Sequence, residues 1–259
     1  MPAKTPDPLD TLIPLLILFN MTTVARQLSE LLAAAEQTRP SYTEFLHRLL
    51  EAEEDARWER KTRRLVRRAH LGPAFDLDRF DWAIRPDLSP QVVKELLTCR
   101  FIDEHRNLIL VGRPSTGKTT IADTIGHAAC QRGHSVYAVT MQEMLEELHA
   151  ARADASYRKV YRRVTRPDLL VIDDAGFAEV DRTGANELFR VVCERHRKRS
   201  TIVITNLPFK KWGEFLPSAA QAVAIADRLV DQATILRFSG KPCRNPRDIH
   251  GAPLEDEDQ

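Results

Sequence analysis

The segment GRPSTGKT begins at Gly112 and ends at Thr119, and few folds present such a sequence. An apolar run at 108–111 precedes this segment, and a helical pattern opens near Lys118. Glycines let such a loop curl until its N–H groups and the following helix N-terminus face an anion, and the lysine adds a mobile positive charge. The strand, loop and helix together predict a phosphate-binding P-loop rather than a chance match in a turn.

We expect this loop to bind ATP, with Lys118 also taking part in catalysis and the Thr119 hydroxyl bound to Mg²⁺. The expected cofactors are therefore ATP and Mg²⁺. The expected nucleotide-binding residues are Gly112, Arg113, Pro114, Ser115, Thr116, Gly117, Lys118, Thr119 and Thr120.

A second apolar run, at 169–172, ends in Asp173 and Asp174. Ligands of α/β sheets bind at the carboxyl ends of the strands. We therefore expect Asp173 to hold Mg²⁺, directly or through water, and Asp174 to orient or deprotonate the attacking water. The alternative is a pair of acids that merely caps a buried strand.

Asn206 follows another apolar run, at 201–205, and would reach the same edge of the sheet. There it would hold the γ-phosphate or the lytic water. The competing interpretation is an ordinary turn asparagine before Leu207 and Pro208.

Short β-rich runs alternate with helical patterns in the second half of the chain. The expected strands lie at 108–111, 135–139, 169–172 and 201–204. This alternation predicts an α/β fold in which helices cover both faces of a parallel sheet.

The region 22–68 has apolar residues at helical spacing and predicts two helices separated at Pro40. Ser41 and Glu44 form a capping-box pattern that opens the second helix. We divide the chain into a helical domain (1–70), a linker with an adenine-side segment (71–100), an ATPase domain (101–250) and an acidic tail (251–259).

Composition excludes several classes of protein. With 43% hydrophobic and 29% charged residues and a net charge of +1, the chain is neither disordered nor strongly basic, so any nucleic-acid surface must be local. The four cysteines are scattered, which argues against a zinc site or a disulfide framework and favours the cytoplasm. The apolar run at 12–19 is too short to span a bilayer and suggests a docking segment or an extra helix.

Six segments in order resemble the IstB-like transposition helper ATPases, relatives of the DnaC-type helicase loaders in the AAA+ class. The resemblance extends from Asn20 to Arg244. The segments are SYTEFLHRLLEAEEDAR, FDWAIRPDLSPQVVKEL, GRPSTGKTTIADTIGHAACQRGHSVYAVT, TRPDLLVIDDAGF, ITNLPFKKWGEF and IADRLVDQATILRFSGKPCR.

The resemblance implies an AAA+ core with Asp173 and Asp174 as Walker B acids and Asn206 as sensor 1. It also implies that Arg228 is an arginine finger, which completes the site of a neighbouring subunit. The alternative for Arg228 is a surface ion pair with Asp227 or Asp231.

Four departures from the family pattern matter. Asp174 stands where the AAA+ class usually has Glu, so we expect slow hydrolysis. The loop reads RPS where many relatives have PPG. Arg244 ends a weak match to the terminal family motif, so the resemblance does not assign Arg244 a phosphate role. Too few residues follow Arg228 for a full helical lid, so we expect a reduced or absent lid.

Two basic clusters are candidates for DNA binding, because neutralised phosphates supply most non-specific affinity. An exposed helical face that binds nothing is an equal alternative. Tyr157 and Tyr161 are expected to pack rather than to stack on sugars, and Lys210 with Lys211 is a weaker third candidate. The two clusters comprise Arg57, Arg60, Lys61, Arg63, Arg64, Arg67 and Arg68 in one, and Arg152, Arg158, Lys159, Arg162 and Arg163 in the other.

We therefore expect an oligomeric ATPase, stimulated by DNA and by oligomerisation, that binds duplex DNA mostly through phosphate and with little sequence preference. We expect it to recruit or activate a cognate transposase. The same resemblance leaves a helicase loader as the alternative. A kinase or GTPase is disfavoured because no NKxD-type motif follows the strand at 201–205. A scaffold that binds ATP without hydrolysing it stays open because of Asp174.

Overall fold

The computed structural model describes residues 8–80, 82–153 and 155–240. The chain forms two compact units, Met1–Arg64 and Leu65–Gln259, and their boundary falls inside a helix. The division expected from the sequence lies further on, at residue 70. Arg244 and the expected acidic tail at 251–259 lie outside the described residues.

The first unit is helical. It contains α1 (Pro8–Leu18), α2 (Thr22–Thr38) and the first part of α3 (Tyr42–Ala69). The capping box at the start of α3 is confirmed: the Ser41 N–H donates to Glu44 Oε2 (2.8 Å), and the Glu44 N–H donates to Ser41 Oγ (3.3 Å). Reciprocal bonds of this kind satisfy amides that the helix leaves without a partner.

A buried carboxylate organises this unit around its small apolar core of Val24, Leu28 and Leu49. Glu53 is 3% exposed and accepts hydrogen bonds from the N–H groups of Thr23 (2.8 Å) and Val24 (3.1 Å). These amides belong to the first turn of α2, where donors have no intrahelical partner. Glu53 therefore caps α2 from α3.

The second unit is built on a five-stranded parallel sheet, which confirms the predicted α/β fold. The strand order is β2-β3-β4-β1-β5, so the central strands are β3, β4 and β1. The strands are β1 (Leu108–Gly112), β2 (Val136–Thr140), β3 (Leu169–Ala175), β4 (Ser200–Thr205) and β5 (Thr234–Phe238).

Helices cover both faces of the sheet. In β1, Leu108 and Leu110 face one apolar core and Ile109 faces the other, as the alternation of strand side chains requires. The helices are α4 (Pro90–Leu96), α5 (Arg100–Asp103), α6 (Lys118–Gln131), α7 (Met141–Ala150), α8 (Tyr157–Thr165), α9 (Arg182–Arg195) and α10 (Ala219–Val230).

The segment 71–100, expected to be a linker with an adenine-side part, lies within the second unit. It contains two 3₁₀ helices, Leu77–Arg79 and Trp82–Ile84, followed by α4. Val93 and Leu96 are buried in the same core as α6. Among the described residues, no helix is both long enough and apolar enough to cross a bilayer.

Candidate functional site

The predicted phosphate loop joins β1 to α6, and its backbone turns at two left-handed residues. Ser115 has a φ of 59° and Gly117 a φ of 90°. Glycine adopts this region without steric cost, whereas a residue with a Cβ adopts it against a penalty. These turns deliver Lys118 to the first position of α6, whose first N–H groups have no partner within the helix. A lysine and a helix N-terminus, the two elements that favour phosphate binding, thus meet here.

Gly112, the first glycine of the loop, is required for a different reason. A Cβ at this position would lie 2.2 Å from the backbone oxygen of Phe238 and 2.7 Å from its Cβ. The two residues are register partners in the adjacent strands β1 and β5. The absence of a side chain at Gly112 therefore allows β5 to approach the start of the loop.

Lys118 is 8% exposed and its ammonium lies against the loop backbone. Its Nζ donates to the carbonyl oxygens of Gly112 (2.8 Å) and Arg113 (2.7 Å). Burial lowers the pKa of Lys118, and the negative charges of Asp173 and Asp174 oppose that shift. The positive charge is thus held at the loop with two acids close by.

Thr119 and Asp173 meet across the site, as the sequence predicts. The Thr119 hydroxyl donates to Asp173 Oδ2 (2.9 Å), and the Asp174 N–H donates to Asp173 Oδ1 (2.7 Å). Burial raises the pKa of the Asp173 carboxyl, and these two hydrogen bonds act in the opposite direction. A hydroxyl beside a carboxylate is a set of hard oxygen donors that fits Mg²⁺.

Asp174 has an unusual backbone at the end of β3. Its φ is 53°, and the pairing of β3 with β4 shifts register between Ile172 and Ala175. Register shifts of this kind redirect side chains and are common beside active sites. Asp174 is exposed and contributes to the wall of a 580 Å³ cavity between α7 and α9. The irregularity thus brings the second acid to the surface while Asp173 is half-buried.

Asn206 follows β4, which lies between the strands that carry the P-loop and the acids. Its side chain is exposed at that edge. The turn that follows is held by Thr205: the Leu207 N–H donates to Thr205 Oγ1 (3.0 Å), and the Thr205 hydroxyl donates to the Ala175 carbonyl oxygen (2.6 Å). The hydroxyl of Thr205 thus holds this turn, and Asn206 lies exposed at its start.

Arg228 lies at the opposite end of the sheet. Asn107, just before β1, donates from Nδ2 to the carbonyl oxygens of Arg228 (3.4 Å) and Leu229 (3.1 Å). The P-loop begins at the other end of β1, about 16 Å away for five residues of strand. The Arg228 guanidinium donates to the Ala224 carbonyl oxygen (2.7 Å) and lies over the Phe189 ring (5.1 Å).

Asp231, one of the two acids considered as an ion-pair partner of Arg228, bonds to other residues. The Asp231 carboxylate accepts hydrogen bonds from His196 Nε2 and Arg197 Nε, both at 2.8 Å. These bonds lower the pKa of Asp231. Asp231 therefore ties the end of α10 to the segment after α9.

Some members of the first basic cluster bond to acids within the protein, although their side chains are exposed as well. Arg57 and Arg60 both donate to Glu53 Oε1 (3.2 and 3.0 Å), and Arg60 also donates to Thr23 Oγ1 (2.7 Å). Arg63 pairs with Glu59 (2.5 Å), and Lys61 lies over the Trp58 ring (4.7 Å). The remaining basic side chains of the cluster are exposed; they are Arg64, Arg67 and Arg68.

Some members of the second cluster bond to acids in the same way. Arg152 bonds to the buried carboxylate of Glu187, which also accepts a hydrogen bond from the Tyr157 hydroxyl (2.6 Å). Burial, followed by the bond to Glu187, raises the pKa of Tyr157 to about 12. Tyr157 and Tyr161 stack on each other at 5.6 Å, as expected for packing.

The other members of this cluster lie along α8. Arg163 bonds to Glu147 and lies over the Tyr137 ring. Arg158, Lys159 and Arg162 are exposed. Lys211, from the weaker third candidate, lies near Glu214 (3.9 Å), and Lys210 is exposed.

Arg85 is a residue near the loop that sequence reasoning missed. It is 1% exposed, and its Nε donates to the carbonyl oxygen of Thr116 in the P-loop (2.9 Å). A single arginine before a proline carries no sequence signal of such a role. Only the fold brings residues 85 and 116 together.

The phosphate loop, the paired acids and Asn206 all lie at the carboxyl edge of one parallel sheet. Strand order β2-β3-β4-β1-β5 places the Asn206 strand between the other two. A chain with this order and these residues is a P-loop nucleotide-binding protein of the AAA+ class.

Comparisons with solved structures agree on the fold. The replication initiator DnaA bound to AMPPCP and single-stranded DNA matches with a TM-score of 0.56 at 18% identity, over 66% of this chain and 52% of that one. The chain thus spans about half the length of that structure. DnaI matches with a TM-score of 0.53 at 18% identity, over 70% of this chain and 93% of that one. At this level of identity the likeness shows the fold alone.

Sequence comparisons give the family. The model of the IstB-like ATP binding protein matches residues 15–249. One relative, from Geobacillus stearothermophilus, is described as an ATP-binding protein of insertion sequence IS5376. It is 32% identical over 87% of this chain and 90% of its own length. A similarly named protein of insertion sequence IS21 from Pseudomonas aeruginosa is 29% identical over 89% and 87%. The chain belongs to the IstB-like ATP-binding protein family.

Proposed function

We propose that this chain is an oligomeric, DNA-binding AAA+ ATPase that selects or remodels target DNA and recruits or activates a cognate transposase. The observation that carries the proposal is the contact between Thr119 and Asp173 at 2.9 Å, next to Lys118 on the P-loop. Family membership adds the link to insertion sequences, since the relatives named above are ATP-binding proteins of such elements.

Nucleotide chemistry follows from the groups at this edge. The loop amides and Lys118 bind the β- and γ-phosphates, and Asn206 holds the γ-phosphate or the lytic water. Thr119 and Asp173 would hold Mg²⁺, which neutralises phosphate charge when bound. Asp174, exposed beside Asp173, orients or deprotonates the attacking water. Asp174 is shorter than the glutamate usual in the class, which favours slow turnover.

Arg228 acts in a neighbouring subunit. The position of its backbone supports this, because it lies beside Asn107 before β1, whereas the P-loop of the same chain follows the other end of that strand. A trans arginine stabilises the charge that develops on the transferred phosphoryl group. Hydrolysis then depends on assembly of the oligomer.

DNA is contacted mainly through its phosphates. The exposed residues Arg158, Lys159 and Arg162 on α8 are the strongest candidates, because the stacked tyrosines and Glu187 hold that helix in place. Arg64, Arg67 and Arg68 on α3 are the second set. In contrast, Arg57, Arg60, Arg152 and Arg163 already bond to acids within the protein.

A salt titration tests the α8 assignment. Replacing Arg158, Lys159 and Arg162 by alanine should reduce the slope of log affinity against log salt by about one for each DNA phosphate that the variant no longer neutralises. The control is a triple alanine variant at Lys94, Arg100 and Arg132, which are also exposed. Equal slopes in the two triple variants would refute the α8 surface.

The partner and the chemistry need separate experiments. Affinity capture with a transposase of the insertion-sequence type and with a replicative helicase distinguishes the two candidate partners, and capture of the helicase alone would favour a helicase loader.

ATPase assays with and without DNA test hydrolysis. The Asp174→Asn variant should keep ATP binding and lose turnover; unchanged turnover would remove Asp174 from the mechanism. If the unaltered chain binds ATP but does not hydrolyse it, the protein is an ATP-binding scaffold rather than an ATPase.

A further inference from the structure

A buried arginine outside the recognised motifs bonds to the phosphate loop. Arg85 lies between the 3₁₀ helix Trp82–Ile84 and α4, and 1% of it is exposed. Its Nε donates to the carbonyl oxygen of Thr116 (2.9 Å), and its Nη1 donates to that of Ser239, just after β5 (3.2 Å). One guanidinium thus joins three segments that are distant in sequence.

The bond to Thr116 has a directional consequence for the next amide. A trans peptide is planar, so its C=O and N–H point to opposite sides. The Thr116 carbonyl is directed at Arg85, and the N–H of the same peptide, which belongs to Gly117, is therefore directed away from Arg85. Gly117 has a left-handed φ of 90°, which glycine adopts without steric cost, so no side chain at residue 117 fixes the orientation of this peptide.

Other contacts also hold the loop near this peptide. A Cβ on Gly117 would lie 3.3 Å from the Phe80 ring, and Phe80 packs on Trp82 at 4.7 Å. The Thr116 hydroxyl donates to the Arg113 carbonyl oxygen (2.8 Å). The Gly117 N–H, which points away from Arg85, is the group of this peptide that could donate to an anion.

We propose that Arg85 is a positioning residue that holds the Thr116–Gly117 peptide with its N–H directed at a nucleotide phosphate. This rests on the proposed function, in which the loop binds ATP. Loss of the Arg85 bond would let the peptide rotate, and one phosphate donor would lose its alignment. Arg85 itself does not contact the nucleotide.

The test compares two buried arginines. Arg195 is also 1% exposed and donates to backbone carbonyls, among them those of Thr165 (3.1 Å) and Pro167 (2.8 Å), next to the amino end of β3. Both Arg85→Gln and Arg195→Gln should lower stability, since both lose buried bonds. Only Arg85→Gln should weaken ADP affinity, by about tenfold, in calorimetry on folded protein. It should also move the ³¹P resonance of the bound β-phosphate.

ADP binding by two variants distinguishes a failure of the Arg85 proposal from a failure of the nucleotide site. Normal ADP binding by Arg85→Gln, with binding lost in Lys118→Ala, would overturn the role of Arg85 and leave the nucleotide site standing. Normal binding by Lys118→Ala would reject the nucleotide site itself. Should Arg85→Gln not fold, the unaltered protein decides: ADP should shift the Gly117 amide proton downfield, and an unmoved resonance would overturn the inference.

Discussion

Replacing Gly112 by alanine should destabilise the second unit, even though its φ does not require glycine. The added Cβ would lie 2.2 Å from the Phe238 backbone oxygen, so β1 and β5 would have to separate by about an ångström. Forcing a methyl group into a packed site costs about 1–3 kcal/mol, and the upper end applies here because the obstructing atom belongs to the backbone. For a domain of this size, about 3 kcal/mol corresponds to about 6–12 °C in Tm.

Scanning calorimetry of the full chain measures this effect, and Gly213→Ala is the control. A Cβ on Gly213 meets no atom within 4 Å, so that substitution should change stability by less than about 1 kcal/mol. The reasoning fails if the two variants melt at the same temperature, because the close approach of β5 would then have no energetic consequence.

The left-handed Ser115 and the buried Glu53 should also affect stability. Ser115→Gly should stabilise the fold by about 1 kcal/mol, because it relieves the left-handed φ of 59° and loses only some chain entropy. Urea unfolding measures this change, and a variant less stable than the unaltered protein would contradict the prediction. Burial raises the pKa of Glu53, but its bonds from Val24, Thr23, Arg60 and Arg57 outweigh burial and hold it below the ordinary 4.5. Its contribution should therefore be complete above about pH 4.5 and disappear as pH falls through the lowered value. Glu53→Ala should cost about 1–2 kcal/mol at pH 7, because two amides at the start of α2 lose their acceptor. Hydrogen exchange of the Val24 amide measures this cost, and the same exchange rate in both proteins at that pH would exclude the capping role.

Much of the nucleotide site is encoded locally and could be predicted. Lys118 and Thr119 sit in one short motif, and Asp173 follows an apolar run that is typical of a buried strand. Parallel topology then brings the strand ends to one edge, which explains why Thr119 and Asp173 meet.

Contacts between distant segments could not be predicted. The separation between Arg85 and Ser239 is 154 residues, and no periodicity marks either partner. From the sequence, only the curvature of the loop explains the glycine at position 112. The structure shows a second reason, because Gly112 lies directly against Phe238. Strand β5 lies at the edge of the sheet with Ile235 and Arg237 exposed, so its apolar pattern is too weak to identify it alone.

Charge runs were the least informative part of the sequence. Arg57 and Arg60 look like members of a basic surface, but they bond to Glu53, an acid buried in the same unit. Arg152 likewise bonds to the buried Glu187. Composition counts charges, and only the fold determines which of them have partners.

If a neighbouring subunit completes the hydrolytic site, two variants that are each inactive should restore activity when mixed. Asp174→Asn and Arg228→Ala should each bind ATP and hydrolyse almost none. In a mixture, the Arg228→Ala subunit supplies an intact Asp174 and its Asp174→Asn neighbour supplies an intact Arg228. We predict that mixing restores ATP turnover in the presence of DNA. A mixture as inactive as its components, in oligomers shown to exchange subunits, would contradict a site shared between subunits.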